Sequence, residues 1–102
     1  MVADRIFTYE IPHAMTGEAA LQLADSAKNF PYERLDSLWL AFDGVEAIDA
    51  SGVAALVRLY SHLNRLGKRL QLVGCRPEVT KLLADTGLAD VIQTTTRVDS
   101  ID

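Results

Sequence analysis

The chain begins with an alternating pattern of apolar and polar residues from Arg5 to Ile11. Phe7, Tyr9 and Ile11 fall on one face of an extended segment, and mostly polar side chains fall on the other. Aromatic and β-branched residues favour strands, so this segment is predicted to be a strand. Pro12 lacks a backbone N–H and therefore ends the strand or places it at the edge of a sheet.

Apolar residues then recur at helical spacing, which predicts a first helix from Gly17 to about Asn29. Thr16 is suited to cap this helix, and Glu18 places a carboxylate near the positive end of the helix dipole. Pro31 follows, and the helix is expected to end before it. The apolar stripe of this helix is Ala20, Leu23, Ala24 and Ala27.

The segment from Leu38 to Phe42 is apolar without interruption. This pattern is typical of a strand covered on both faces, in the middle of a sheet flanked by helices. Asp43 and Gly44 then predict a turn.

A second helix is predicted from Ser51 to Leu66, and Gly67 is expected in the left-handed conformation after it. Its predicted apolar face is Val53, Leu56, Val57, Tyr60 and Leu63. Its predicted solvent face carries Arg58, Ser61, His62 and Arg65. That polar face is interpreted as solvated, with an extended contact surface as the alternative.

The remaining chain continues the alternation of strands and helices. Leu70 to Val73 predicts a strand, Pro77 opens a short helix that Gly87 ends, and Val91 to Thr94 predicts a last strand. This order indicates one α/β domain over residues 1–102, with helices on a mixed or parallel sheet of about four to five strands. The expected core is Trp39, Leu40, Phe42, Leu56, Tyr60, Leu72 and Leu83.

Composition narrows the possible partners and locations. The 102 residues include 10 Lys or Arg and 14 Asp or Glu, giving a net charge of −4. This balance argues against nucleic acid and anionic membrane surfaces as main partners. The longest apolar runs, Leu38 to Phe42 and Val53 to Val57, are far too short to span a membrane. Without a signal peptide, and with one cysteine, the chain is expected to be cytoplasmic unless it is a piece of a longer protein.

Recognisable catalytic chemistry is missing from the sequence. It contains no glycine-rich phosphate loop, no nucleophile elbow and no metal-ligand spacing, so we expect no enzyme activity, cofactor or metal. His13 and His62 are interpreted as ordinary surface histidines. Cys75 is interpreted as a small packing residue.

The junction into the second helix, Asp49 to Gly52, is the remaining feature of interest. Ser51 is predicted to be the N-cap, and Asp49 to favour the helix dipole. The simple interpretation is that both residues only start a helix. The functional interpretation is a docking or switching point, because a phosphate on Ser51 would meet free N–H groups. That phosphate would also repel an acidic partner, together with the neighbouring carboxylates of Asp43, Glu46 and Asp49.

From Leu38 to Ile92 the chain resembles the STAS domain, the fold of bacterial anti-sigma factor antagonists and of the cytoplasmic tails of sulfate transporters. The resemblance is carried by the strand LWLAF, the motif IDASG, the helix VAALVRLYSHLNRLG and the strand RLQLVG, and by the segments RPEV and LLADTGL. The match before the first helix is loose, since members usually open with two strands and only one is clear here. The first family strand is therefore either missing or part of a shortened pair within Met1 to Glu10.

The resemblance implies a non-catalytic module whose Asp49, Ala50, Ser51 and Gly52 bind a protein partner. In anti-sigma factor antagonists that partner is an anti-sigma factor and serine kinase, and phosphorylation releases it. The family's phosphorylated residue corresponds to Ala50, which has no hydroxyl. Modification is therefore either shifted to Ser51 or absent. Gly52 either lets a partner's backbone approach or relieves crowding in the first turn.

Two interpretations of function follow from the resemblance. The first is an anti-sigma factor antagonist, a bacterial partner-switching regulator of transcription, without the usual phosphoswitch at Ala50. The alternative is a transporter-associated STAS domain, as in sulfate-type permease tails and small partners of ABC ATPases. Members with Ala at this position are familiar from transport.

Overall fold

In a computed structural model, which describes residues 5–96, the chain alternates strands and helices. The strands are β1 (Ile6–Glu10), β2 (Ala14–Met15), β3 (Ser37–Ala41), β4 (Ala47–Ile48), β5 (Arg69–Cys75) and β6 (Gln93–Thr96). The helices are α1 (Gly17–Ala27), α2 (Ala50–Arg65) and α3 (Pro77–Asp85), with short 3₁₀ turns at Tyr32–Arg34 and Leu88–Asp90.

Four strands form the main sheet in the order β1-β3-β5-β6, and every neighbouring pair is parallel. Each connection therefore advances by one strand in the same direction across the sheet. Because parallel crossovers are right-handed, α1, α2 and α3 are all placed on the same face. The predicted α/β class is confirmed, and the main sheet is wholly parallel.

The helix-covered face holds the centre of the core. Leu38, Leu40 and Leu72 share this face and are almost completely buried. On β1, Phe7 and Tyr9 lie on the same face, where their rings contact the Phe30 ring at centroid distances of 5.3 and 5.1 Å. The expected alternation in β1 is confirmed, because Ile6, Thr8 and Glu10 on its other face are exposed.

The prediction that the β3 segment is covered on both faces is wrong for the part of the chain that the structure describes. Trp39, in register between Thr8 and Gln71, lies on the face opposite the helices and is only half-buried. A continuous apolar run cannot reveal this difference, because Trp and Ala tolerate partial exposure. Of the expected core, Trp39 and Tyr60 are thus half-buried and the other five residues are buried.

The predicted apolar face of α2 is partly wrong. Val57 is 42% exposed, whereas Leu59 is only 5% exposed. The helix packs against both the sheet and α1, so its buried arc rotates toward α1 and includes Ala55 and Leu59. Hydrophobic spacing alone gives the period of a helix and leaves open which neighbour each side of the apolar stripe meets.

Several boundaries also differ by one or two residues from those predicted. Helix α1 ends at Ala27, before the predicted Asn29, and β6 begins at Gln93 instead of Val91. The second shift follows from the 3₁₀ turn after Gly87, where the Val91 N–H donates to the Leu88 carbonyl. Gly67 and Gly87 have the expected positive φ, at 74° and 83°.

A second, two-stranded sheet was not predicted. Strand β2 pairs parallel with β4, joining Ala14 to Ala47 and Met15 to Ile48. Two residues are too few to show an alternating pattern, so the sequence carries no signal for them. This short strand supplies a second strand before the first helix, and its partner β4 leads directly into α2.

Candidate functional site

The junction between β4 and α2 lies at the carboxyl end of the parallel sheet. Asp49 is the N-cap of α2 and has an extended backbone, with φ −119° and ψ −172°. Its carboxylate oxygen Oδ1 accepts a hydrogen bond from the Gly52 N–H at 3.0 Å. Its carbonyl accepts the first helical bond, from the Val53 N–H at 3.0 Å. Asp49 thus fixes where the helix begins.

The prediction that Ser51 caps α2 is therefore wrong. Ser51 lies inside the first turn, and its side chain and that of Ala50 are exposed. Asp and Ser are similarly good N-caps, and tertiary structure decides between them here. The Asp49 N–H donates to the Met15 carbonyl at 3.3 Å, which extends the β2–β4 pairing and keeps Asp49 extended.

The Asp49 carboxylate also reaches the start of α1. Its Oδ2 atom accepts from the Gly17 N–H at 3.3 Å. Thr16 is the N-cap of α1 as predicted, but its side chain makes no capping hydrogen bond. One carboxylate consequently binds free amides at the starts of two helices. This second contact links residues 32 positions apart, so local sequence patterns could not indicate it.

Gly52 is buried where α2 passes over β2. A Cβ atom at this position would lie 2.0 Å from the Met15 carbonyl oxygen and 2.8 Å from the Ile48 Cγ1 atom. Of the two roles expected for Gly52, this geometry supports the relief of crowding within the chain. The accessible part of the motif consists of Asp49, Ala50 and Ser51.

The other carboxylates near this edge each have neighbours of their own. Glu46 Oε2 lies 3.8 Å from Arg76 Nη2, in a partly exposed ion pair. Asp43 lies beside the Cα of Gly74, since a Cβ added there would be 2.7 Å from its carboxylate. The site is acidic overall, with one guanidinium beside it.

Cys75 is completely buried at the end of β5, which confirms its interpretation as a packing residue. Burial, and secondarily the Asp43 carboxylate, raises the pKa of its thiol to about 11. The thiol is therefore protonated at neutral pH.

Both histidines are exposed, as expected for surface residues. The His62 ring meets the edge of the Tyr32 ring at a centroid distance of 4.7 Å. Within residues 5–96 no group of three or more His, Cys, Asp or Glu side chains is arranged to hold a metal ion. Nor does this part of the chain contain a helix both long and apolar enough to cross a membrane.

Solved structures of two kinds are similar to this chain. A sulfate transporter family protein from Wolinella succinogenes has a TM-score of 0.81 and 22% identity, over 92% of this chain and 79% of that one. The unphosphorylated anti-sigma factor antagonist SpoIIAA, from Bacillus, has a TM-score of 0.75 and 18% identity, over 94% and 84%. The STAS domain of a SulP transporter from Vibrio cholerae has a TM-score of 0.72 and 15% identity, over 94% and 77%.

At these identities the likeness concerns the fold, which antagonists and transporter domains share. A search of curated proteins gave no significant match. The family model for the STAS domain, in contrast, matches residues 2–101, nearly the whole chain. The chain therefore belongs to the STAS domain family.

Proposed function

We propose that this chain is a non-catalytic protein-binding module that docks a partner through Asp49, Ala50 and Ser51. The observation that carries the proposal is the double contact of the Asp49 carboxylate with the Gly52 and Gly17 amides. These contacts hold the helix start in one geometry and leave the Ala50 and Ser51 side chains exposed. A rigid, accessible surface requires little ordering when a partner binds, which favours affinity.

Within this class, we favour an anti-sigma factor antagonist-type regulator that binds its partner without a phosphoswitch. Ala50 has no hydroxyl, and Gly52 N–H, one of the amides a phosphate on Ser51 could use, already binds Asp49. A phosphate on Ser51 would add about −1.5 to −2 charges within two residues of that carboxylate. We therefore expect the protein in the cell to be unphosphorylated and its partner to be bound constitutively.

The test is affinity capture from the source organism with three purified baits: the unchanged chain, Ala50→Arg and Ala84→Arg. Ala84 is a matched control because it is also exposed on a helix, near the end of α3 and outside the motif. We expect Ala50→Arg to reduce partner recovery at least about tenfold, as the loss of a buried interface contact does. The control should recover the partner fully. Equal recovery by all three baits would contradict docking at this site.

The identity of the captured protein separates the two interpretations of function. An ATP-binding protein of the serine-kinase type would support the antagonist. A membrane transport subunit or ABC ATPase would support the alternative, a transporter-associated STAS domain, which the presence of Ala50 favours. The intact mass of the chain isolated from cells tests separately whether the chain is phosphorylated. A phosphate on Ser51 would contradict constitutive binding.

A further inference from the structure

An open cleft of about 500 Å³ lies between α1 and α2, away from the start of α2. Its floor is apolar and comes from Leu23 and Leu59, one on each helix. Small side chains at Ala24, Ala27 and Ala55 leave the space unfilled. This volume is within the range of sites for small molecules, which are usually concave and mostly apolar.

The cleft is closed at one end. Tyr32 follows α1 in the chain, and its ring reaches the His62 ring on α2. The Tyr32 hydroxyl donates to the Ala27 carbonyl, which also accepts from the Phe30 N–H. These two donors weaken the repulsion between the Ala27 carbonyl and an anion at this end of α1. A closed end favours a ligand that terminates there over a partner helix, which is about 10 Å wide and continues past its contacts.

The edges of the cleft are cationic although the chain as a whole has a net charge of −4. Lys28 and Arg58 lie on its two sides, His62 lies beside Tyr32, and no carboxylate lines it among the described residues. Asp25 is 3.9 Å from Lys28, but both side chains are more than three-quarters exposed, so this pair screens Lys28 only weakly. Arg58 and His62 are four residues apart and share one side of α2.

We propose that this cleft binds a small amphiphilic anion, a single acyl chain ending in a carboxylate. The chain would lie on the apolar floor between α1 and α2, and the carboxylate would meet Lys28 and Arg58 near the closed end. Cationic edges over an apolar floor match both parts of such a molecule. Arg58 is about 12 Å along α2 from Ala50, so this site is separate from the proposed docking site.

The test is titration of the purified chain with dodecanoate below its micelle concentration, followed by calorimetry and by the amide NMR signals of α1 and α2. We expect saturable binding of one molecule. Dodecyltrimethylammonium, with the same chain and a cationic head, should bind at least about tenfold more weakly because it meets like charges.

Variants distinguish the contribution of the apolar floor to dodecanoate binding from that of the cationic edges. Ala24→Leu fills the cleft and should weaken dodecanoate binding at least about tenfold. The double variant Lys28→Gln with Arg58→Gln should weaken it about fivefold. Arg65→Gln is the matched control, because Arg65 is exposed on the same helix and does not line the cleft. It should leave binding unchanged.

Two results would overturn the proposal. One is dodecanoate binding that is absent or is unchanged in Ala24→Leu, provided that the variant has the helical circular dichroism of the unchanged chain. The other is that the chain sediments with phosphatidylglycerol vesicles but shows no saturable binding of dodecanoate. That result would indicate that the cationic edges bind a membrane lipid instead of a free molecule.

Discussion

The first turn of α2 and its later turns pack in different ways. At its beginning, Gly52 leaves no room for a methyl group against the Met15 carbonyl, and Asp49 binds amides of two helices. Farther along, Ala55 faces α1 across a cleft of about 500 Å³. The beginning of the helix is fixed by backbone contacts, whereas small side chains on α1 and α2 leave an open cleft beside the later turns.

The fold tolerates larger side chains in the cleft but not at the start of α2. Close contact between backbone atoms cannot be relieved by changing a rotamer, so a substitution must move a helix or a strand. An open cleft accepts larger side chains without such movement. The proposed docking site is therefore the rigid end of α2, and the proposed ligand site is the adaptable part.

The largest expected effect is that of Gly52→Ala, which adds one methyl group at the rigid end. Its Cβ would lie 2.0 Å from the Met15 carbonyl oxygen, and we expect a loss of about 3 kcal/mol or more in the free energy of unfolding. Ala24→Leu adds more atoms, but it adds them in the cleft, and it should change the free energy of unfolding by less than about 0.5 kcal/mol. Urea unfolding measures both, and equal losses would contradict the contrast between the two ends.

A smaller loss is expected from Asp49→Ala, which removes the capping acceptor of α2 and the contact with Gly17. Loss of an N-cap costs about 1–2 kcal/mol. Thr16→Ala is the matched control, because Thr16 is an N-cap whose side chain makes no capping hydrogen bond. Its cost in the same unfolding experiment should be near zero. An Asp49→Ala loss as small as that of Thr16→Ala would contradict the role of Asp49 in stabilising both helices.

The smallest effect is expected at the amino ends of β1 and β3, where Asp36 accepts the Arg5 backbone N–H at 2.9 Å. This bond, and that from the Arg5 guanidinium, hold the pKa of Asp36 below its ordinary value of 3.8. Its contribution is therefore fully present above about pH 5 and is lost as the pH falls below 3.8. Unfolding followed from pH 6 to 3 should show a smaller decline in Asp36→Asn than in the unchanged chain.

Asp25→Asn serves as the control in this pH series. The Asp25 carboxylate is highly exposed and lies 3.9 Å from Lys28, without the short backbone contact that Asp36 makes. Its removal should leave the decline with pH as steep as in the unchanged chain. A decline equally steep in Asp36→Asn would contradict a role for Asp36 in the pH dependence.

The sequence predicted most helices and strands because their signals are local. Hydrophobic periodicity identified α1 and α2, and Gly67 and Gly87 marked helix ends through the positive φ that they adopt. The motif from Asp49 to Gly52 was identified from its residues, but Ser51 was predicted to be the N-cap, a place that Asp49 takes. Asp49 and Ser51 have similar capping preferences, and the β2–β4 pairing that selects Asp49 involves residues too few to show a pattern.

The α/β class, the family resemblance and the order of the elements were predictable without a structure, since each follows from residues near one another in the chain. Tertiary packing sets the sheet face that Trp39 occupies, the side of α2 that is buried and the two helices that share Asp49. It also places Lys28 and Arg58 on the two sides of one cleft. These features depend on residues far apart in sequence, whose relative positions are set only when the crossovers place the helices on one face of the sheet.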